Sequence, residues 1–336
     1  MTSSVSVPAG SVPAVSVIVP VRDRRALLRR LLDALAAQTH RDFEVVVVDD
    51  GSVDGSGEEA AADAAAGRAV RVVASRGDGA VDARRTGVAA ARANVLAFTD
   101  SDCEPVPEWL AAGLAAIGSG ADLAHGPTLP VRPVRPLERS VHAGAEGLYP
   151  SCNLFVRRAA YERVGGFDGA LAERLGFRRG AGPRRLGFGE DTVLAWRVRR
   201  QGGAEYVPDA IVHHHVSPPS LRETARRAVM AGAFPALVTE IPELRATLVR
   251  HRIQLGSRSR LPFYATTLAV VFPPTRRTRL PLTLFAWWVA SRGRELAGQP
   301  GTWGERTRAL PAELLVDALT GGALVLGSVR AGTALL

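Results

Sequence analysis

Two uninterrupted β-branched runs constrain this chain more than any other feature: Val15-Ser-Val-Ile-Val-Pro20 and, after one amphipathic stretch, Glu44-Val-Val-Val-Val-Asp49. A run without polar alternation is a strand covered on both faces, which is the habit of parallel sheets. Between the two runs, Leu27, Leu28, Leu31, Leu32 and Leu35 recur at helical spacing, with Asp23 placed to cap the helix they define. Strand, helix and strand with short connections make a βαβ unit. That unit fixes a parallel sheet and puts any ligand crevice at the carboxyl ends of its strands.

The residues just past those strand ends are therefore where chemistry is sought. The second strand runs into Asp49-Asp50-Gly51-Ser52-Val53-Asp54-Gly55. Gly51 and Gly55 permit a sharp turn, and Ser52 or Asp54 can cap the alanine-rich helix expected over 58–66. Capping accounts for one acid there, not three. A carboxylate in this position can accept a hydrogen bond from a nucleotide base or ribose. A third strand, 70–73, leads into a glycine-permitted turn and a helix bearing Arg84 and Arg85. A fourth, 94–99, ends in Asp100-Ser-Asp102. Residues i and i+2 of an extended chain point to one side, so both carboxylates can face one ligand. They repel unless a cation lies between them, and Mg²⁺ or Mn²⁺ carrying phosphate oxygens fits. Taken alone, an Asp-x-Asp is better explained by a solvated, acid-rich turn.

Downstream, a helix over 108–117 is expected to bury Trp109, followed by irregular chain with one strand near 123–128. A strand over 151–158 enters a helix, 159–164, that stops at Gly165-Gly166-Phe167-Asp168. An arginine- and glycine-rich loop, 174–186, then runs to Glu190-Asp191 at the head of a helix over 192–201, where acids complement the helix dipole. Strands over 204–207 and 210–216 follow. The second carries His213-His214-His215, whose alternation sends His213 and His215 to one face and His214 to the other. Ser220 and Glu223 have the spacing of a capping box.

Beyond it lie apolar helical pieces, 261–272, 280–290 and 314–329, with Arg276, Arg277 and Arg279 as a basic spacer. No uninterrupted apolar run reaches the roughly 18 residues of a membrane span. The expectation is helices packed on the preceding domain, helices lying on an anionic membrane surface, or a homodimer contact.

All 42 basic residues other than histidine are arginine, for a net charge of +9. Arginine suits phosphate recognition, but the complete lack of lysine reads equally as a bias of the source genome. The arginines show no aromatic interleaving, which argues against nucleic acid. Two cysteines without a CxxC pair point to a reducing compartment, hence a cytoplasmic protein, peripheral on the inner face of the plasma membrane if its helices bind lipid. The organisation expected is a disordered tail over 1–13, which lacks the pattern of a signal peptide, a catalytic α/β domain over 14–219 and a helical region over 220–336.

Taken in register, Val15-Ser-Val-Ile-Val-Pro20, Asp49-Asp50-Gly51-Ser52-x-Asp54, Gly79-x-x-x-Ala83-Arg84-x-x-Gly87 and Asp100-x-Asp102 resemble the family 2 glycosyltransferases of the GT-A fold. The resemblance covers about residues 15 to 217. It implies an α/β fold with a mixed, mainly parallel sheet flanked by helices. It further implies a nucleotide-diphosphate sugar, a UDP-sugar first, held by Pro20, Asp50, Ser52, Arg84 and Asp100. Asp102 would be the main ligand of Mn²⁺ or Mg²⁺, with Asp100 in support and His215 completing the site. Asp191, with Glu190 beside it, would be the base that takes the proton of an acceptor hydroxyl in an inverting hexosyl transfer to a glycan, lipid-linked or small-molecule acceptor. The chain departs from the family pattern at Arg22-Asp23, Arg85 and Val193, where Tyr-Asn, Asn and Asp are usual. Two alternatives stand beside this reading. A nucleotidyltransferase needs a glycine-rich loop after the first strand, and Val21-Arg22-Asp23-Arg24-Arg25 has no glycine. A catalytically inactive, membrane-associated assembly protein would keep its behaviour after Asp191→Asn.

Overall fold

The computed structural model describes residues 12–175, 188–246 and 260–333. Most of the expected tail over 1–13 and of the loop over 174–186 lies outside the described residues. The chain divides into two compact units, one formed by residues up to 131 with 141–215, the other by 132–140 with 216 onward.

The first unit contains strands β1 (Val15–Val21), β2 (Phe43–Asp49), β3 (Val70–Ala74), β4 (Val95–Phe98), β5 (Cys103–Pro105), β6 (Leu123–His125), β7 (Thr128–Pro130), β8 (Leu154–Arg157), β9 (Ala204–Tyr206) and β10 (Val212–His214). Its helices are α1 (Arg25–Ala36), α2 (Ser56–Ala65), α3 (Ala80–Ala90), α4 (Trp109–Gly118), α5 (Arg158–Arg163), α6 (Leu171–Arg174) and α7 (Glu190–Arg199). Seven strands form one sheet in the order β3-β2-β1-β4-β8-β6-β9, and β5-β10-β7 form a second. β1 to β4 are mutually parallel, while β8 runs antiparallel to both β4 and β6.

The unbroken apolar runs have the cause inferred from sequence, since helices cover both faces of the sheet. Val17, Val19, Val45 and Val47 share a core with Leu28, Leu31, Leu32 and Leu35 of α1. Each such fully buried leucine is worth about 2 kcal/mol over an exposed one. Alternate residues Val46 and Val48 pack with Ala83 of α3. There α3 comes so close that a Cβ on Gly87 would lie 2.5 Å from Ile18 Cγ2, so glycine sets the spacing of helix and sheet.

Some local expectations are corrected. Asp23 does not cap α1; it takes a positive φ of 49° and its Oδ1 accepts from Val53 N at 2.8 Å. Asp54 does that work from the next loop, its Oδ2 accepting from Arg25 N at 2.9 Å. At the start of α2 the N-cap position is Gly55, and Asp54 Oδ1 accepts from Ser56 N at 3.0 Å, so the cap by Asp54 is made. The strand expected near 123–128 is split into β6 and β7. At the break, a Cβ on Gly126 would sit 2.0 Å from the Ala210 carbonyl oxygen, so only glycine passes. The strand over 151–158 begins as a 3₁₀ turn, Ser151–Asn153. There Asn153 Oδ1 accepts from buried Trp109 Nε1 at 2.8 Å, while Nδ2 donates to Ala210 O at 2.8 Å. Trp109 is a core residue, as read.

The second unit is helical: α8 (Leu221–Met230), α9 (Phe234–Glu240), α10 (Arg260–Val271), α11 (Pro273–Arg276), α12 (Leu280–Ala297) and α13 (Trp303–Ala331). Ser220 caps α8, accepting from Glu223 N at 3.3 Å. Glu223 pairs instead with Arg226, Arg227 and Arg139, so the expected capping box is half made. A complete box, Thr302 with Glu305, starts α13 and was not anticipated. By length and composition alone α13 could cross a membrane, with a mean hydropathy of 1.6 over 18 residues, although its apolar run is not uninterrupted. Its middle nevertheless holds the fully buried Asp317, which accepts from Arg260 Nε at 2.7 Å, Arg292 Nη2 at 2.5 Å and Trp288 Nε1 at 3.0 Å.

Candidate active site

The carboxyl ends of β1, β2 and β4 lie side by side, and the acids expected at a ligand crevice gather there. Asp50 follows β2 and is buried. Its carboxylate accepts from the Ser75 hydroxyl and from Gly79 N at 3.0 Å, with Arg22 Nη1 at 3.7 Å. The loop before α3 is thus tied to β2 through this one side chain. Pro20 lies in β1 opposite Val48, past the point where β4 stops pairing, so its missing N–H removes no ladder bond on that side. Ser52 joins two loops rather than facing the acids: its N donates to Asp49 Oδ1 at 2.9 Å and its Oγ accepts from Asp23 N at 3.1 Å.

A second cluster centres on Arg84, which α3 carries inward to near-complete burial. Nη2 donates to Asp100 Oδ1 at 2.6 Å, and Nη1 stands 4.0 Å from Glu190 Oε1. Burial works against the Arg84 charge, but Asp100 and Glu190 more than offset it and hold its pKa above the ordinary arginine value. At the head of α7, Asp191 is anchored through both oxygens, Oδ2 accepting from Ser151 N at 2.9 Å and Oδ1 from Thr192 N at 2.8 Å. Burial pushes its pKa up, against those two donors and Arg84. Glu190 is raised to about 7, first by burial and then by its neighbour Asp191. Two adjacent acids that hold protons to higher pH than usual are a proton-accepting pair in waiting.

The third cluster surrounds Asp102. Its Oδ2 accepts from Arg24 Nη1 at 2.8 Å, and its Oδ1 lies 3.5 Å from His214 Nε2. Sequence reasoning put His215 here. His215 N donates to Asp102 O at 2.8 Å and its imidazole lies within electrostatic reach of Asp102, while His214 is the histidine whose ring nitrogen stands against the carboxylate. β10 pairs with β5 so that His214 stands opposite Cys103, and this register chooses the face. Ligand atoms of Asp102, Cys103 and His214 lie within 4.8 Å of one another. Burial pushes the Cys103 thiol well above its usual range; for a hard divalent ion the carboxylate and the imidazole are the better-matched donors. His214 Nδ1 is 2.8 Å from the His215 carbonyl, which can only accept, so Nδ1 carries the hydrogen. Nε2 then faces a carboxylate, a geometry made favourable by a proton or a cation between them. The pair fits a divalent ion that takes mixed oxygen and nitrogen ligands.

Of the residues singled out from sequence, Arg84, Asp100, Glu190 and Asp191 come together, Asp102 lies two residues further along, and Asp50 holds the neighbouring turn. Arg24 and His214 were missed. For Arg24 the sequence carries no signal beyond its place after β1.

The fold and these clusters define a GT-A glycosyltransferase architecture, with acids and a buried arginine at the ends of parallel strands. Residues 16–168 match the family described as Glycosyl transferase family 2. It is 31% identical over 176 residues to the glycosyltransferase AglE of Haloferax volcanii, covering 48% of this chain and 58% of that one. It is 29% identical over 255 residues to the pre-mycofactocin glycosyltransferase of Mycobacterium tuberculosis, covering 70% of this chain and 50% of that one. The chain thus spans about half the length of these curated relatives. Among solved structures it resembles the mannosyltransferase PcManGT of Pyrobaculum calidifontis, solved with GDP-Man and Mn²⁺. The TM-score is 0.54 at 19% identity, over 96% of this chain and 88% of that one, a likeness of fold.

Proposed function

We propose that this protein is a metal-dependent, inverting glycosyltransferase that moves a hexose from a nucleotide-diphosphate sugar to an acceptor hydroxyl. The observation carrying this reading is the meeting, past the end of β4, of the Arg84-compensated acids Asp100, Glu190 and Asp191 with the Asp102–His214 pair. The catalytic domain is assigned to residues 14–219, apart from 132–140 and 216–219, which belong with the accessory helical region over 220–336. Asp50, with Pro20 and Ser52 shaping its surroundings, receives the nucleoside, and a UDP-sugar is the first donor to try. The GDP-Man complex of the archaeal mannosyltransferase supports the donor class and makes GDP-sugars the second.

Asp102 and His214 would hold Mn²⁺, because an imidazole ligand suits it better than Mg²⁺. When bound, such an ion neutralises a diphosphate and stabilises it as a leaving group. Arg84 orients Asp100 and offsets the local negative charge. Asp191, fixed by two backbone donors, takes the proton of the acceptor hydroxyl as that oxygen attacks the anomeric carbon from the face opposite the leaving diphosphate. The acceptor is a glycan, lipid-linked or small-molecule alcohol. The two buried thiols accord with a cytoplasmic setting.

The test is a thermal-shift panel of nucleotide sugars with and without Mn²⁺, followed by turnover assays on Asp191→Asn. The proposal requires one donor class to stabilise the protein only with metal. It also requires Asp191→Asn to keep donor binding while losing about 10³-fold or more in kcat. A protein that binds no nucleotide sugar, or an Asp191→Asn variant with full turnover, overturns it and favours the inactive assembly protein.

A further inference from the structure

In the helical unit, α10 and α12 form a hairpin whose inner side is closed by aromatic contacts. The Phe263 and Trp288 ring centroids are 6.0 Å apart, and Phe285 stacks on Trp288 at 5.5 Å. The tip of this hairpin, residues 270–280, is exposed at every position except Thr275. That is costly for such a sequence. Val271 is 71% exposed and Phe272 59% on one side of the tip, with Leu282 at 72% on the other. Trp287 lies further along α12, also exposed.

Between these apolar residues stand Arg276, Arg277 and Arg279, and from residue 260 to 294 the chain has six arginines and no aspartate or glutamate. The tip itself is ordered by local bonds, Thr278 Oγ1 donating to Thr275 O at 2.7 Å and accepting from Leu280 N at 3.2 Å. It is a preformed shape, with apolar side chains set among guanidinium groups.

We propose that the α10–α12 tip is a docking surface for an anionic lipid bilayer, with Val271, Phe272, Leu280 and Leu282 entering the headgroup–acyl boundary. Arg276, Arg277 and Arg279 engage lipid phosphates there. Charge decides the occupant. A second copy of the chain would bring the same acid-free, arginine-bearing tip against itself, and like charges would oppose burial of the apolar residues. A bilayer of anionic lipid satisfies both parts at once, since apolar groups leave water while each nearby basic residue is drawn by the negative surface potential. Neither α10 nor α12 is long and apolar enough to span a bilayer, so the mode is interfacial. The inference rests on residues of the helical unit alone and stands whether or not the donor-site reading holds.

The test is co-sedimentation of the full chain with vesicles of phosphatidylcholine alone and of phosphatidylcholine containing about 30% phosphatidylglycerol. Binding is expected to the anionic vesicles only, falling as salt is raised, with a blue shift of tryptophan emission that diminishes in Trp287→Ala. The triple variant Arg276→Glu, Arg277→Glu, Arg279→Glu is expected to lose on the order of a hundredfold in vesicle affinity. The double variant Phe272→Asp, Leu282→Asp should lose binding while keeping its circular dichroism and melting temperature, these being exposed positions. Equal binding to both vesicle types, or undiminished binding by either variant, overturns the proposal. So does a lack of vesicle binding joined to a concentration-dependent dimer that Phe272→Asp dissolves, or a preference for RNA over anionic vesicles.

Discussion

Arg24 Nη1 donates to Asp102 Oδ2 at 2.8 Å, so the carboxylate proposed to meet a metal is shared with a guanidinium from the loop after β1. Arg24 is itself substantially exposed, and exposed pairs of this kind contribute about 1 kcal/mol or less. A divalent ion competing for the same oxygen therefore faces a modest obstacle. Arg24→Ala should tighten Mn²⁺ binding about two- to fivefold, read by titrating the free-ion EPR signal in the absence of nucleotide. Asp102→Ala should abolish the same binding. A weaker affinity in Arg24→Ala would show that the arginine helps to build the site instead of guarding it.

Among the described residues, Arg84 is the cation that meets both Asp100 and Glu190, and it is almost wholly buried. Removing it leaves buried Glu190 and partly buried Asp100 without this guanidinium, the costly way to break an ion pair. Arg84→Ala should destabilise the protein by about 3 kcal/mol in urea unfolding. Arg84→Lys, a point charge in place of a fork, should recover part of the stability but not the two-sided contact. Equal stability of wild type and Arg84→Ala would mean that the acids share protons and need no arginine.

The pair Glu190 and Asp191 gives stability a pH dependence of a definite sign. Glu190 titrates at about 7 in the folded protein, raised by burial and by Asp191, against about 4.3 in an unfolded chain. Between those values the native state binds more protons than the unfolded state, so unfolding free energy falls as pH rises. The contribution is complete below about pH 4 and is lost by the time pH passes about 7. Glu190→Gln cannot ionise, and should flatten this part of the profile and raise Tm at pH 8 by roughly 3 °C or more. Calorimetric scans from pH 5 to 8 decide the matter, and a variant whose profile parallels the wild type would remove Glu190 as the titrating group.

The periodicities made much of this architecture legible, and the reason is physical. Valine runs such as 45–48 can only be strands covered on both faces, and the leucines of α1 can only be a helix lying on them. Asp50, Arg84, Asp100 and Asp191 were readable because each stands just past a strand or at a helix start. What stayed hidden depended on pairings between distant segments. Alternation separated His214 from its neighbours but could not say which face looked at Asp102, since the register of β10 against β5 settles that. The capping of α1 by Asp54, from the loop after β2, has no local signature either. Glu223 illustrates the opposite failure, a correct motif spacing whose acid is drawn away by three arginines.

Asp317 is another case in which sequence and structure diverge, and it carries a last prediction. In the sequence it only interrupts an apolar stretch of α13; in the fold it is fully buried and satisfies Arg260, Arg292 and Trp288 together. If it is lost, Arg260 and Arg292 lose the buried carboxylate they share, and Arg292 keeps its bond to Glu295 at 2.9 Å and its contact with Glu313 at 3.6 Å. Asp317→Ala should therefore cost about 3–5 kcal/mol, the range for removing one side of a buried pair. Asp317→Asn, which keeps the shape and one acceptor oxygen, should cost less. Urea unfolding followed by the fluorescence of the buried Trp288 reads both. The result bears on what α13 is. A helix that functions as the core of the helical unit must lose stability in water when Asp317 is removed, whereas one that functions as a lipid-facing span would gain from the loss of a charge. A stabilised Asp317→Ala variant that partitions into vesicles would assign α13 to the membrane.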